Sequence, residues 1–187
     1  MSDTSKGIYM PLGMEGFELC HPIHEEDFEK INLEINGKSK ANGWDPVSME
    51  LIQKENGKPL YFSDSPWLGA NAMIFREKSL PSIREMMTRC GEFLPLECQG
   101  QNLVIYNPGQ VDGALDEAES SILRFSDGGI MLIREYKFFE KNIEGVDIFK
   151  IPSMRVSPTF LSHRFVAEWN KNGLKGLEFK QVWRSPV

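Results

Sequence analysis

The stretch Leu161–Trp183 constrains this chain most, because it reads as a helix with both ends marked and a strand directly after it. The Ser162 hydroxyl can accept from an otherwise unpaired first-turn amide, and Leu161 and Val166 flank the start as a hydrophobic staple. Phe165, Val166 and Trp169 recur at three- and four-residue spacing opposite Arg164, Glu168 and Lys171, which predicts a helix over about 162–172 with one apolar stripe. Gly173 stands where a left-handed residue closes such a helix, and Leu174 can fold back onto its last turn. Beyond Gly176, Leu177, Phe179 and Trp183 fall on one face at period two, so the chain is expected to end on a strand covered by that helix.

A second helix is expected over about 79–90. Ser79 can cap it, Pro81 is tolerated in its first turn, Leu80, Ile83, Met86, Met87 and Cys90 follow helical spacing, and Gly91 supplies the stop. His24–Asn32, with Phe28 and Ile31 among carboxylates, reads as a shorter helix. The other signals are of strands. Asn56-Gly57 joins strands at about 47–54 and 58–62, with a helix beginning at Asp45-Pro46 as the competing reading. Trp67–Phe75 is a buried strand or irregular core segment. Phe93–Cys98 and Leu103–Tyr106 form one hairpin, Ile122–Phe125 and Ile130–Phe139 a second around Asp127-Gly128-Gly129, and Val146–Ile151 adds a further strand. Residues 1–24 hold Gly7, Pro11, Gly13, Gly16 and Pro22, too many breakers for a long regular element, and read as an extended lead-in. Antiparallel hairpins, two main helices, a C-terminal strand and no regular strand–helix alternation give an α+β fold rather than a doubly wound sheet.

With 187 residues, 41% of them hydrophobic, the chain can bury a substantial core as one compact unit or two lobes. No apolar run approaches the roughly 18 residues that would span a bilayer, and residues 1–6 lack a signal-peptide core, so a cytosolic, membrane-free protein is expected. Cys20, Cys90 and Cys98 are odd in number without a Cys-x-x-Cys pair, which argues for reduced thiols and against a disulfide framework or zinc ribbon.

The formal net charge of −6 is unevenly spread, since residues 1–50 carry ten acidic and four basic side chains and residues 134–187 carry six acidic and ten basic ones. An acidic surface repels nucleic acid and steers towards a basic partner. His21, His24 and Glu25 invite a metal reading, but Pro22 spoils their alignment and only His163 is left as a further histidine, so no metal or cofactor is expected. Cys20 beside His21 would point to the opposite face of an extended segment, which does not suit a nucleophile and its base. No nucleophile elbow, phosphate loop or dinucleotide fingerprint is present, so catalysis has no visible carrier. Carboxylates at Asp112, Asp116, Glu117 and Glu119, in a segment expected to be a loop or one helical turn, are the one set that could do acid/base work.

Six short segments in order resemble a family of bacterial immunity proteins from polymorphic toxin systems. They are Ser63-Asp64-Ser65-Pro66-Trp67, Gly91-Glu92-Phe93-Leu94-Pro95-Leu96 after a helix, Leu115-Asp116 followed by Ser120, Gly129-Ile130-Met131, Asp147-Ile148-Phe149-Lys150-Ile151, and Gly173-Leu174-Lys175-Gly176-Leu177-Glu178-Phe179. The likeness spans about residues 45–185, which makes 46–187 the immunity-type unit and leaves 1–45 as a variable, partner-specific element or an unrelated extension. The resemblance implies a non-enzymatic protein that neutralises a cognate toxin encoded nearby, delivered by type VI or contact-dependent secretion. A small hydrolase or transferase that reverses a toxin's modification through the acidic loop, and a homo-oligomeric scaffold, are the alternatives; monomer and homodimer are both open. Toxins that attack nucleic acid carry basic clefts, so the expected partner-binding residues are Glu25, Glu26, Asp27, Phe28 and Glu29, where the resemblance fades, together with Asp112, Asp116, Glu117 and Glu119.

Overall fold

The structure is a computed structural model that describes residues 7–40 and 42–185. In chain order, β1 (Gly7–Gly13) and β2 (Leu19–Pro22) precede α1 (Glu26–Glu34). There follow β3 (Ser48–Ile52), the short β4 (Lys54–Glu55) and β5 (Lys58–Pro59), β6 (Met73–Arg76), α2 (Arg84–Cys90), β7 (Gly91–Pro95), β8 (Glu97–Cys98) and β9 (Leu103–Pro108). The last part holds β10 (Ser121–Arg124), β11 (Ile130–Glu135), the single turn α3 (Glu140–Ile143), β12 (Ile148–Phe149), β13 (Phe160–Ser162), α4 (His163–Lys171) and β14 (Leu177–Arg184). The fold is α+β with mostly antiparallel sheets and a C-terminal strand, as the patterning predicts.

Two sheets organise the core. The antiparallel β6-β9-β7 sheet is buried on both faces, because successive side chains of β9 leave in opposite directions. Leu103 and Ile105 join Ile74 and Leu94 in a cluster closed by Ile31, Ile35, Met49 and Cys20, whereas Val104 and Tyr106 join Phe75, Met87, Phe165 and Trp169 in a second. The four-stranded sheet, in the order β12-β13-β1-β14, closes this second cluster with Leu161, Leu177 and Phe179. Its other face carries Ile8, Phe149, Phe160 and Trp183 into a third cluster, covered by Leu115, Ile133, Phe138 and Ile143. The molecule is therefore a stack of layers: α1 with β2 and β3 lies on one outside and the segment 111–146 on the other.

The helix at Ser162 forms as its sequence demands. The Ser162 Oγ accepts from the Phe165 amide, the Phe165 and Trp169 rings are buried, and Leu174 folds back with its amide on the Trp169 carbonyl. Asn56 and Gly57 have φ of 50° and 77°, the geometry of a two-residue hairpin turn, although the hairpin joins only β4 and β5. β3 pairs instead with β2 and, in parallel, with β8, and no helix starts at Asp45.

Several expectations are corrected. The supposed lead-in contains β1, an interior strand hydrogen-bonded to β13 and β14, and β2. Gly7, Pro11 and Gly13 are accommodated within β1, Gly13 directly against the Trp67 ring where a side chain would not fit, whereas Gly16, with φ of 80°, makes the turn before β2. The helix expected from 79 is regular only from Arg84. The Ser79 hydroxyl donates to Asp64 Oδ1 instead of capping, and Leu80–Ile83 is a turn whose Leu80 and Ile83 nonetheless enter the core. Gly91 is extended and begins β7, and Phe93–Cys98 divides between β7 and β8 in two different sheets. Trp183 leaves the face of Leu177 and Phe179. Ile8 pairs with Trp183 and Tyr9 with Gln181, so Val182 is an extra residue in the ladder, and this bulge turns Trp183 to the third cluster.

Candidate protein-binding surface

Ile31 and Ile35 fix α1 by one face, and the loop after it is held to the central sheet: Asn107 Oδ1 accepts from the Gly37 amide at 2.8 Å and Glu92 Oε1 from the Lys40 amide at 2.6 Å. This leaves the outer face to solvent. Glu25, Glu26, Phe28 and Glu29 are exposed there and Asp27 is half-buried. Ile23, just before α1, and Phe28 and Leu33, on it, are also exposed, at 58%, 38% and 40%. The Phe28 ring leans edge-on against His21 at 5.8 Å, which restrains its position. Glu25, Glu26 and Asp27 make no ion pair among the described residues, and Glu29 meets only Arg155 across 3.7 Å in an exposed pair. Carboxylates with apolar anchors between them, on a helix fixed from behind, are what a basic partner surface would meet.

The second acidic segment is different. Ala114 and Leu115 are buried in the third cluster, so Asp112–Glu119 belongs to the opposite outer layer from α1. Asp116 Oδ1 accepts from the Ala118 and Glu119 amides and shapes the loop. Glu117 is held by Arg124 at 2.7 Å. Asp112 and Glu119 are exposed. The structure therefore separates the two sets of acidic residues, and no residue from 112 to 119 lines the cavities described below.

The residues raised for chemistry have other roles. Cys20 is fully buried, and that burial, with Cys98 nearby, pushes its thiol up to about 12, so it is a packing group and not a thiolate. Among the described residues no three His, Cys, Asp or Glu side chains gather where an ion could sit, and no helix is long and apolar enough to cross a membrane.

Three polar arrangements escape the sequence patterns. Glu18 and Arg76 form a buried pair at 2.7 Å. Burial works to raise the Glu18 pKa, but hydrogen bonds from Gln53, the Ser63 amide and Arg76, with the Arg76 charge, together hold it below the ordinary value. Lys150 is fully buried with its Nζ donating to the Asn71 and Ser157 carbonyls, and burial lowers its pKa to about 7. A 510 Å3 cavity at the start of α4 is lined by Arg89, Arg164 and Asp147. Asp147 is engaged there by Arg164 Nε at 2.8 Å and by the Ser162 hydroxyl at 2.7 Å. The only signal for the first two was a charged residue inside or beside an apolar run, Lys150 in Ile148–Ile151 and Arg76 after Met73–Phe75. A search against protein-family models finds none that matches the chain, and a search of curated proteins also finds no match.

Proposed function

We propose that the chain is an immunity protein that acts in the cytoplasm by binding and neutralising a cognate bacterial toxin. The observation that carries this reading is the outer face of α1, where unpaired carboxylates surround exposed apolar side chains on a helix secured from behind. Interfaces have this anatomy, an apolar centre with a polar rim, and the acidic sign fits a partner whose cleft binds nucleic acid or nucleotides. The resemblance supplies the biological class, a toxin carried by type VI or contact-dependent secretion. The Asp112–Glu119 loop is a weaker contributor, because two of its four carboxylates are already engaged, Asp116 by amides of the loop and Glu117 by Arg124 of β10.

The test is co-expression with the adjacent toxin domain, followed by titration of the purified pair. Reversing Glu25, Glu26 and Asp27 to lysine is expected to weaken the complex by at least about tenfold at low salt and to leave the thermal midpoint within about 2 °C, since none of the three supports the core. Asp112→Lys with Glu119→Lys is the matching change on the other layer, and it spares the loop-shaping Asp116. Protection of cells without a complex on gel filtration would sink direct neutralisation. Unchanged affinity for both variants would move the partner to another face.

A further inference from the structure

The 510 Å3 cavity at the start of α4 is built around a fixed guanidinium. Asp147 is buried, and its Oδ1 accepts from both the Ser162 hydroxyl and Arg164 Nε, so the carboxylate holds Arg164 by one nitrogen. The two terminal nitrogens of Arg164 donate to nothing among the described residues, and the half-exposed side chain lines the cavity. Arg89, the next-to-last residue of α2, brings a second guanidinium to the same space. Its sole ion pair among the described residues is an exposed one with Glu85 at 3.6 Å. Asp147 is the only carboxylate among the described residues of the lining and is already committed to Arg164. The cavity therefore has cationic donors in excess, in a protein of formal net charge −6. A second cavity, of 310 Å3, shares Gly145, Val146 and Arg164 with the first, and Ile8, Ile143 and Trp183 give it an apolar wall. Its carboxylates, Glu140 and Glu144, have partners of their own and favour an anion at the arginine end.

We propose that these adjoining cavities bind a small phosphate monoester with an apolar body, its phosphate received by Arg89 and Arg164 and its body by Val146 and Trp183. Two guanidinium groups on separate helices each offer a planar fork of donors, and a phosphate monoester has three free oxygens to receive them where a carboxylate has two. Because Asp147 already fixes Arg164, less side-chain freedom is lost when the ligand arrives. Each cavity has the volume of a small-ligand site, with a few polar groups converging beside an apolar wall. None of the α1 carboxylates lines either cavity, so the site is independent of the proposed partner surface.

The probe is phenyl phosphate, titrated into the full chain and followed by amide shifts, with benzoate, inorganic phosphate and phenol as comparators. Phenyl phosphate is expected to bind with a Kd below about 1 mM and to shift amides at 89–90, 109–111, 145–148 and 162–164. Benzoate and inorganic phosphate should each bind at least about tenfold more weakly, and phenol should leave these amides unmoved at about 1 mM. Arg89→Gln should weaken phenyl phosphate at least about tenfold, and the fold does not depend on this side chain, whose only ion pair is exposed. Arg164→Gln should do the same, and reversal of Glu25, Glu26 and Asp27 to lysine should not. No binding at about 1 mM, shifts elsewhere, or an unaltered affinity of Arg89→Gln would overturn the proposal. Equal affinity for inorganic phosphate or for benzoate would overturn it as well, the first by removing the apolar body and the second by removing the phosphate.

Discussion

At Gly176 the backbone has φ of +102°, and a Cβ built there would collide with the Ser63 side chain, whereas one built at Gly173, with φ of +64°, meets nothing. Both positions penalise an L side chain, but only the first adds a collision. Gly173→Ala is therefore expected to cost about 1 kcal/mol and Gly176→Ala about 3 kcal/mol or more, compared by urea midpoints. Glu18→Gln leaves Arg76 buried without its counter-charge, for an expected loss of about 3 to 5 kcal/mol at neutral pH. Because the folded pKa of Glu18 is depressed, its contribution is present above the ordinary carboxylate range and fades as the pH falls through the folded value. The loss caused by the substitution should accordingly shrink on acidification, and an undiminished gap would count against the pair. Lys150 gives a slope of the same sign in a higher window, although here it is the neutral form that the fold favours. Between pH 7 and its ordinary 10.5 the unfolded chain holds a proton that the folded one lacks, so the wild type gains stability as the pH rises through that window. Lys150→Met removes this slope, as urea midpoints at about pH 6.5 and 9 would show.

Among the elements, α4 is the one whose sequence and structure agree most closely, since cap, stripe and closure are encoded within a dozen residues. Its cap does more than hold the helix, for Ser162 Oγ also donates to Asp147 Oδ1, which receives Arg164 Nε. Ser162→Ala is expected to cost about 2 kcal/mol, at the upper end for a cap, because a buried carboxylate oxygen loses a donor together with the helix amide. Thermal denaturation of Ser162→Ala, of Asp147→Asn and of the double variant tests the coupling, and strictly additive losses would show the two groups to be independent. The strand ends were less legible. Phe93–Cys98 alternates well enough to read as one strand, but which sheet each half joins depends on β9 and β3, neither of which is local to it. The register of β14 carries the same lesson, because the bulge that redirects Trp183 is set by the pairing of Ile8 and Tyr9, about 170 residues away along the chain.

On the scale of the whole molecule, the layers place α1 and the 112–119 loop on opposite outer surfaces. What the sequence determined by itself was whatever depends on near neighbours: the capped helix at Ser162, the Asn56-Gly57 turn, the hairpin around Asp127-Gly128-Gly129, the buried stripe of Leu80, Ile83 and Met87, and the exposure of the acidic run on α1. These follow from side-chain periodicity and turn geometry over a few residues. The candidate binding surface was half legible in this way, since a run of charges announces a solvated face but not which apolar side chains stand among them. Only the tertiary structure decided that Gly7–Gly13 is an interior strand, that Glu18 and Arg76 meet across 58 residues, that Lys150 is sealed among carbonyls, and that β14 pairs, among the described strands, with β1 alone. Strand pairing and charge burial are chosen by whichever distant segment completes a sheet or supplies a counter-charge, and that choice has no signature in the local pattern.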